Sequence, residues 1–340
     1  MRSDSPQEYN DELSNLEDVV TVVTRGPALV IATSVLTGCV VCIICIRVYT
    51  RLRIQRWFGV DDVFSILSSF ATAGFNITVI LGFSKYGWDR HSWTIPITLI
   101  QSSIVIGNSS KLIFSLCATL TRLSFLGFYY RLTENVVMKR FKVLLHISVV
   151  FVIALCVVAF CAILSLCRPV RAYWTFPPIA GAKCIDETPV ALAMGCLHTF
   201  ADLLVTVLPI PVVMKLQMSR VRRMGVLMLF GLGFSITAAG AARTYFSWFT
   251  STGRHDLAWD SYQLFICAVT EVNLGLICCC VPTIRVFIAR KVVPVLSSGL
   301  TSLHSSYRGS EPTFKGETTA NFGSDDQAEL RKWTSENSSA

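Results

Sequence analysis

This 340-residue chain is poor in charge: Asp, Glu, Lys and Arg make up 15% of it, against 52% hydrophobic residues. A water-soluble surface draws on about 25% charged residues, so a soluble globular fold is excluded, and the mean hydropathy of +0.55 agrees. The signatures of common soluble enzymes are also missing. There is no Gly-x-Ser-x-Gly nucleophile turn, no Walker phosphate loop, no His-Glu-x-x-His motif and no Rossmann glycine pattern. No Cys-x-x-Cys pair with matching ligands falls in a loop, so no zinc site is indicated. No metal or cofactor is expected, and no catalytic residue is assigned. Residues 262–286 contain no lysine, which excludes a retinal Schiff base there. No inverted repeat of the transporter kind is seen. The stretch before the first apolar run, Asp4 to Asp18, is acidic and no small-residue cleavage site follows. The first run is therefore expected to stay as a signal anchor.

What is present is seven long apolar runs. A helix needs roughly 20 apolar residues to cross the hydrocarbon core, and the runs place helices at 27–46, 60–83, 102–128, 143–165, 189–213, 224–247 and 262–286. The expected fold class is all-α, a seven-transmembrane helix bundle. Its expected organisation is a short acidic extracellular stretch over 1–26, a membrane domain over 27–286, and a cytoplasmic juxtamembrane segment with a disordered Ser/Thr-rich tail over 287–340. Basic residues in short loops stay on the cytoplasmic side. They collect in loop one (Arg47, Arg51, Arg53, Arg56), loop three (Arg131, Lys139, Arg140, Lys142) and loop five (Lys215, Arg220, Arg222, Arg223). These loops are expected inside, with the amino terminus outside and the carboxyl terminus cytoplasmic. The net charge of +8 is thereby assigned to topology and contact with anionic membrane lipids, not to nucleic acid. Aromatic residues at the expected boundaries, Trp57 and Phe58 at one face and Trp88, Trp93, Tyr173, Trp174, Trp248 and Trp259 at the other, fit the same spans.

Most of the 13 cysteines lie inside the apolar runs. Cys167 and Cys184 share one expected outer loop, in an oxidising compartment, and are the candidate disulfide. The sequons at Asn76 and Asn108 fall within helices and that at Asn337 is expected in the cytosol, so none should carry sugar. Thr188-Pro189 reads as an N-cap with proline at the first helical position, and Pro209 and Pro211 should kink or end helix five. Gly233, Thr237 and Ala241, four residues apart, read as a small-residue packing stripe. The segment from Arg285 to Pro294 reads as a short basic amphipathic stretch along the inner leaflet. The hydroxyl-rich tail offers phosphorylation sites, or serves only to solubilise.

Ionisable side chains in mid-membrane cost about 2.5 to 3.5 kcal/mol each on insertion scales. Lys111, Arg122, Asp202, Arg243 and Glu271 should therefore face the bundle interior, with His198, Asn76 and Asn273 as further hydrogen-bonding groups. Two acids and three bases suggest pairs such as Asp202 with Arg243 or Glu271 with Lys111, with Arg122 alternatively snorkelling to the interface. For any one residue a structural ion pair is the simpler account; as a group they suggest a polar core able to bind a small molecule. Asp61 and Asp62 open helix two, where carboxylates favour the helix dipole and can pair with Arg47 or Arg51. These four residues serve either as structural pairs or as coupling sites for a cytosolic signalling protein.

Several fragments occur in an order that resembles a known family. They are Arg47-Val-Tyr-Thr-Arg-Leu-Arg followed by Phe58-Gly-Val-Asp61-Asp62, Gly87 to His91, and Leu120-Thr-Arg-Leu-Ser-Phe-Leu-Gly-Phe-Tyr-Tyr-Arg-Leu132. Cys167-Arg-Pro-Val with Trp174 and Cys184 follows, then Asp202, Leu208-Pro-Ile-Pro211, Gly231, Arg243, Glu271, Gly275 and Cys280-Val-Pro282. Over roughly residues 28–288 the chain resembles the fungal rhodopsin-like integral membrane family, which includes Pth-type receptor-like proteins and membrane proteins of the satratoxin cluster. The resemblance implies seven helices and either a sensing role or a part in fungal secondary metabolism. Arg122 stands where that family more often has lysine, and no cysteine-rich extracellular domain precedes helix one. Helix three ends Tyr129-Tyr-Arg131 and helix seven lacks Asn-Pro-x-x-Tyr, so coupling to a G protein is an analogy. The leading expectation is a receptor-like membrane protein sensing a small molecule through its polar core. The alternative is a membrane-bound enzyme or accessory protein in secondary-metabolite biosynthesis, since paired carboxylates can do acid work on a lipophilic intermediate.

Overall fold

The computed structural model describes residues 25–133, 139–177, 179–210, 220–252 and 256–292. Its helices are α1 (Gly26–Tyr49), α2 (Val60–Lys85), α3 (Ile97–Leu132), α4 (Lys139–Ser165), α5 (Glu187–Val207), α6 (Arg220–Thr252) and α7 (Leu257–Phe287). α1 and α7 each run on into a π-helical turn, Thr50–Gln55 and Ile288–Val292. Among the described residues these seven are long and apolar enough to cross a membrane. The expectations for the acidic amino-terminal stretch, Pro211, Lys215, the side chains of Arg220, Arg222 and Arg223, and the chain beyond 292, with Pro294 and Asn337, lie outside the described residues. Residues up to Ala289 belong to one compact unit; of the second, Arg290–Ala340, only the first three residues are described.

α3 and α7 are the central helices. Their apolar windows are 61% and 56% buried, against 17% in α1 and 22% in α4, which lie at the periphery. Large apolar side chains such as Ile31, Phe70, Ile77 and Val150 are turned outward, as expected where lipid is the solvent. Inside, two apolar clusters stack along the bundle. One contains Phe75, Phe83, Trp88, Phe114 and Val269, and the other Phe125, Leu126, Tyr129, Leu145 and Cys278. Between Phe114 and Phe125 on α3 comes Arg122, and at that level lie the ion pairs Arg122–Asp202 and Arg243–Glu271.

Helix ends show where local sequence decides. Gly59 is the N-cap of α2, and its N–H donates to Asp62 Oδ2 at 3.1 Å. A Cβ there would meet Asp61 Oδ1 at 2.5 Å and the Trp57 ring at 2.6 Å, so the position requires glycine. α5 begins earlier than Thr188-Pro189 suggests: Asp186 is the N-cap, its carboxylate accepting from Thr188 N–H at 3.0 Å. A carboxylate caps as well as a hydroxyl and also suits the helix dipole. α5 ends at Val207, just before Pro209. The stripe expected on α6 is corrected in part. Gly233 meets Thr206 of α5, where a Cβ would lie 2.6 Å from Thr206 Cγ2, but Ala241 is exposed. The contact line continues instead through Gly240 and Thr244, the latter against Gly195. A helical stripe drifts, so the seven-residue step keeps the face where two four-residue steps leave it.

Between α4 and α5 a two-residue antiparallel pairing sets Cys167 opposite Cys184 and Arg168 opposite Lys183. The two cysteines are disulfide-bonded. The intervening loop leans on α3, with Gln101 Nε2 donating to Trp174 O at 2.7 Å and Asn108 Nδ2 to Tyr173 O at 2.9 Å.

Candidate functional site

Arg122 of α3 is buried, and all three guanidinium nitrogens are engaged. Nε and Nη2 each lie 2.8 Å from an oxygen of Asp202 on α5. Nη1 lies 2.9 Å from His198 Nδ1, and Nη2 also donates to the His198 carbonyl at 3.1 Å. A buried ion pair persists only when its remaining polar atoms are satisfied, and here they are, so the snorkelling alternative is corrected. Arg243 of α6 is held more loosely. Its Nε donates to Glu271 Oε2 of α7 at 2.7 Å, while Arg243 Nη2 and Glu271 Oε1 are buried without a hydrogen-bond partner among the described residues. The guanidinium carbon sits 4.5 Å above the Phe114 ring centre, a cation–π contact.

The pairs suggested from sequence are therefore corrected: Asp202 meets Arg122, not Arg243, and Glu271 meets Arg243, not Lys111. Lys111 lies eleven residues from Arg122, about 16 Å along α3 at 1.5 Å per residue. That puts it level with the first residue of α5, Glu187, whose Oε1 lies 2.5 Å from Lys111 Nζ. Tyr173 completes this group, receiving a hydrogen bond from Lys111 and donating one to Glu187, both at 3.0 Å. Burial raises the Tyr173 phenol above its usual pKa, against the pull of Lys111 and with the push of Glu187, so it remains a donor. Both Lys111 and Glu187 are about two-fifths exposed. Glu187 and Tyr173 carried no signal as site residues in the sequence, because their role depends on the loop folding back onto α3.

Asn273 and Asn76 bond each other reciprocally at 3.1 and 3.2 Å, and Asn76 also reaches Thr37 at 2.8 Å. This neutral link ties α1, α2 and α7 together beside the charged layer.

The layer separates two cavities. The larger, about 180 Å³, has apolar walls from α3, α4, α5 and α7; His198 and Arg243 line it, and so do Lys111 and Glu187. The smaller, about 40 Å³, is bordered by Arg122, Asp202 and Glu271 together with Tyr129, Val205 and Ile236. The Arg122–His198 contact and the Arg243–Glu271 pair thus each join the linings of the two spaces.

The four coupling candidates meet elsewhere, where α1 and α2 approach. Arg47 and Arg51 each contact both Asp61 and Asp62 at 2.8 to 3.0 Å. Arg47 also donates to the Cys279 carbonyl of α7 at 2.8 Å, and Ser124 of α3 donates to the Asp61 carbonyl at 2.7 Å. All four charged side chains are at most 3% exposed, so this cluster staples helices and presents no charge to a cytosolic protein. At the disulfide end, His91 stacks between Trp93 and Trp259 and bonds Asp256, while Arg25 lies 3.9 Å over Trp259. Burial pushes the Asp256 carboxyl up, but hydrogen bonds from His91, Ser92 and Trp259 outweigh it and hold the pKa below the usual carboxylate value.

A model of the fungal rhodopsin domain matches residues 46–290. Among curated relatives, Fugralins biosynthesis cluster protein 2 of Gibberella zeae is 26% identical over 288 residues, covering 80% of this chain and 67% of the relative. A SAT4 family membrane protein of Emericella nidulans is 24% identical over 203 residues, 60% of this chain and 50% of the relative. Satratoxin biosynthesis SC1 cluster protein 4 of Stachybotrys chartarum is 28% identical over 149 residues, 43% and 50% respectively. The chain spans about two thirds of the first relative's length and half of the other two. No solved structure matches it.

Proposed function

The chain belongs to the fungal rhodopsin domain family of membrane proteins, and from that premise we propose that it is a receptor-like protein that binds a small molecule within its bundle. The observation that carries this reading is the cavity of about 180 Å³ that runs from the Lys111–Glu187 pair down to Arg243 and His198. Its walls are apolar and its polar groups few and convergent, which is the usual character of a small-molecule site. Lys111, Arg243 and His198 border the ligand; Arg122, Asp202, Glu271 and Asn273 form the framework behind it. The charged layer is the element whose pairing a ligand would bias, since a ligand shifts an equilibrium only through contacts that differ between two states. On this reading the amino terminus lies outside, and a cytosolic partner meets the basic loops or the tail, because the Arg47–Asp62 cluster is closed.

A second reading is favoured by two of the relatives, which are named for the fugralin and satratoxin biosynthesis clusters. The chain would then act on or accompany a lipophilic intermediate of fungal secondary metabolism, with Glu271 as a buried acid. Metabolite profiling of a deletion strain, beside transcripts of neighbouring biosynthetic genes, separates the two. Unchanged metabolites, or metabolites and transcripts falling together, are expected for a sensor. A lost product with an accumulating precursor and normal transcripts would overturn it in favour of the biosynthetic role.

A further inference from the structure

The large cavity can be entered at its end or through its side, and the two differ in what must part to admit a molecule. The end toward the disulfide is latched. Lys111 and Glu187 line it, the Tyr173 hydroxyl bridges them at 3.0 Å on each side, and Lys111 also donates to Asn108 Oδ1 at 3.3 Å. The loop that carries Tyr173 is tied down as well. Gln101 holds Trp174 O and Phe176 N–H, at 2.7 and 2.5 Å, and the Cys167–Cys184 bridge closes the loop at its base. Entry there breaks charge-assisted hydrogen bonds, which are the strong ones.

The side wall is different. Ala159, Ala162 and Ile163 of α4 and Val190, Ala191 and Met194 of α5 line the cavity, and none carries a polar side chain. Among the described residues α4 and α5 are the consecutive helices with the least contact. They are joined at two levels. On the disulfide side Ile185 N–H donates to Leu166 O at 2.8 Å, and at the other level the Phe151 and Phe200 rings meet edge to face at 5.9 Å. Phe151 and Leu166 are fifteen residues apart, about 22 Å of chain at the helical 1.5 Å per residue, and Ala159, Ala162 and Ile163 fall between them. Opening this seam exchanges one set of dispersion contacts for another, because lipid tails are as apolar as the side chains they replace.

We infer that the seam between α4 and α5 is a portal to the bilayer, through which the cavity takes an uncharged lipophile dissolved in the membrane. The inference rests on the reading of the cavity as a ligand site and adds the class of ligand and its route. A lipophile leaves water for the bilayer and so meets the seam at far higher concentration than it meets the latch. A charged molecule stays in water and meets only the latch, whose groups already hold one another.

The test uses the full chain in phosphatidylcholine nanodiscs, with empty nanodiscs to subtract lipid partitioning. The probe is fluorobenzene, since an apolar cavity of about 150 Å³ accommodates benzene and this one measures about 180 Å³. Fluorine NMR saturation transfer reads how much probe is bound and how fast it exchanges. Phe200→Ala loosens the seam without touching the cavity lining. It should speed exchange about threefold or more, as loss of one aromatic pair allows, and leave affinity unchanged. Tyr173→Phe unlatches the end and should leave both unchanged. Fluorobenzenesulfonate, which stays in water, should not bind, and Ala191→Phe fills the cavity and should abolish binding of fluorobenzene. Exchange unaltered by Phe200→Ala, or speeded more by Tyr173→Phe, would overturn the portal while leaving the cavity as a ligand site. Sulfonate binding that Ala191→Phe abolishes would overturn the ligand class. Fluorobenzene binding indifferent to Ala191→Phe, or none in the parent, would overturn the cavity reading itself.

Discussion

Arg122 and Arg243 carry the same charge in the same layer, but Arg122 engages Asp202 through two hydrogen bonds and His198 through two more, whereas Arg243 engages Glu271 through one. The two should therefore respond differently to loss of a partner. Asp202→Ala leaves a buried guanidinium uncompensated, and removing one member of a buried pair costs about 3 to 5 kcal/mol. Glu271→Gln keeps an acceptor for Arg243 Nε and the shape of the side chain, so it should cost visibly less. Thermal unfolding in detergent checks the order, which equal losses would contradict. If the layer is the element that a ligand biases, Glu271→Gln should also abolish the response without loss of expression, and a full response would remove the layer from signalling. At this scale the sequence was legible only in part. That Arg122, Asp202, Arg243 and Glu271 are buried follows from the cost of charge in lipid; which acid meets which base depends on the relative height and rotation of α3, α5, α6 and α7, and no local pattern encodes it.

Elements are set by contacts that local patterns foretell unevenly. The α5–α6 approach depends on Gly195 and Gly233, where a Cβ would come within 2.8 Å of Thr244 Oγ1 and 2.6 Å of Thr206 Cγ2. Both glycines face a threonine of the neighbouring helix, and both stand in a four-residue stripe of small residues; Gly233 was read from its stripe, whereas the matching one of Ala191, Gly195 and Thr199 was passed over. Gly195→Val should push the helices apart and destabilise by about 1 to 3 kcal/mol, the usual range for overpacking. Loss of thermal stability in detergent measures it, and an unchanged melting temperature would show that the helices are free to separate there. The start of α7 is held by Asp256, which accepts from Ser92 N–H and Oγ at 2.9 Å, from Trp259 N–H at 3.3 Å, and from His91. Its folded pKa lies below the ordinary carboxylate value of 3.8. The stabilisation is then fully present above that ordinary value and is lost as pH falls through the lower folded one, because the unfolded state takes up the proton first. Amide exchange at the first turn of α7, expressed relative to the intrinsic rate at each pH, should stay slow at neutral pH and quicken in strong acid. Asp256→Asn should accelerate it at neutral pH as well; protection that ignores both changes would show that the aromatic stack alone anchors the helix.

For the whole molecule, the seven runs were legible because hydrocarbon thickness imposes a length that no soluble helix needs to respect. Their ends were less so: α3 starts at Ile97 and reaches Leu132, nine residues longer than its apolar run from 102 to 128. Gln101 at one end is held by the 170–174 loop, and at the other Arg131 lies over Trp57 and Tyr130 against His146 of α4, contacts made only after folding. Orientation rests on the same alternation of basic loops, and it makes a separable prediction. Arg47 and Arg51 are consumed by Asp61 and Asp62 within the folded bundle, but insertion happens before that cluster forms, so they still count toward topology. Asp61 and Asp62 weigh little in that rule, which counts Lys and Arg and not net charge. A glycosylation acceptor added ahead of residue 25 should therefore be modified, while one added after residue 310 should not. Replacing Arg53, Arg56, Lys139, Arg140 and Lys142 with Gln should let a fraction of chains insert inverted, with the tail acceptor now modified, although none of the five belongs to the buried cluster or the charged layer. Uniform amino-terminal modification in that variant would mean that the basic residues left in place, Arg47 and Arg51 with those of loop five, suffice to set the orientation.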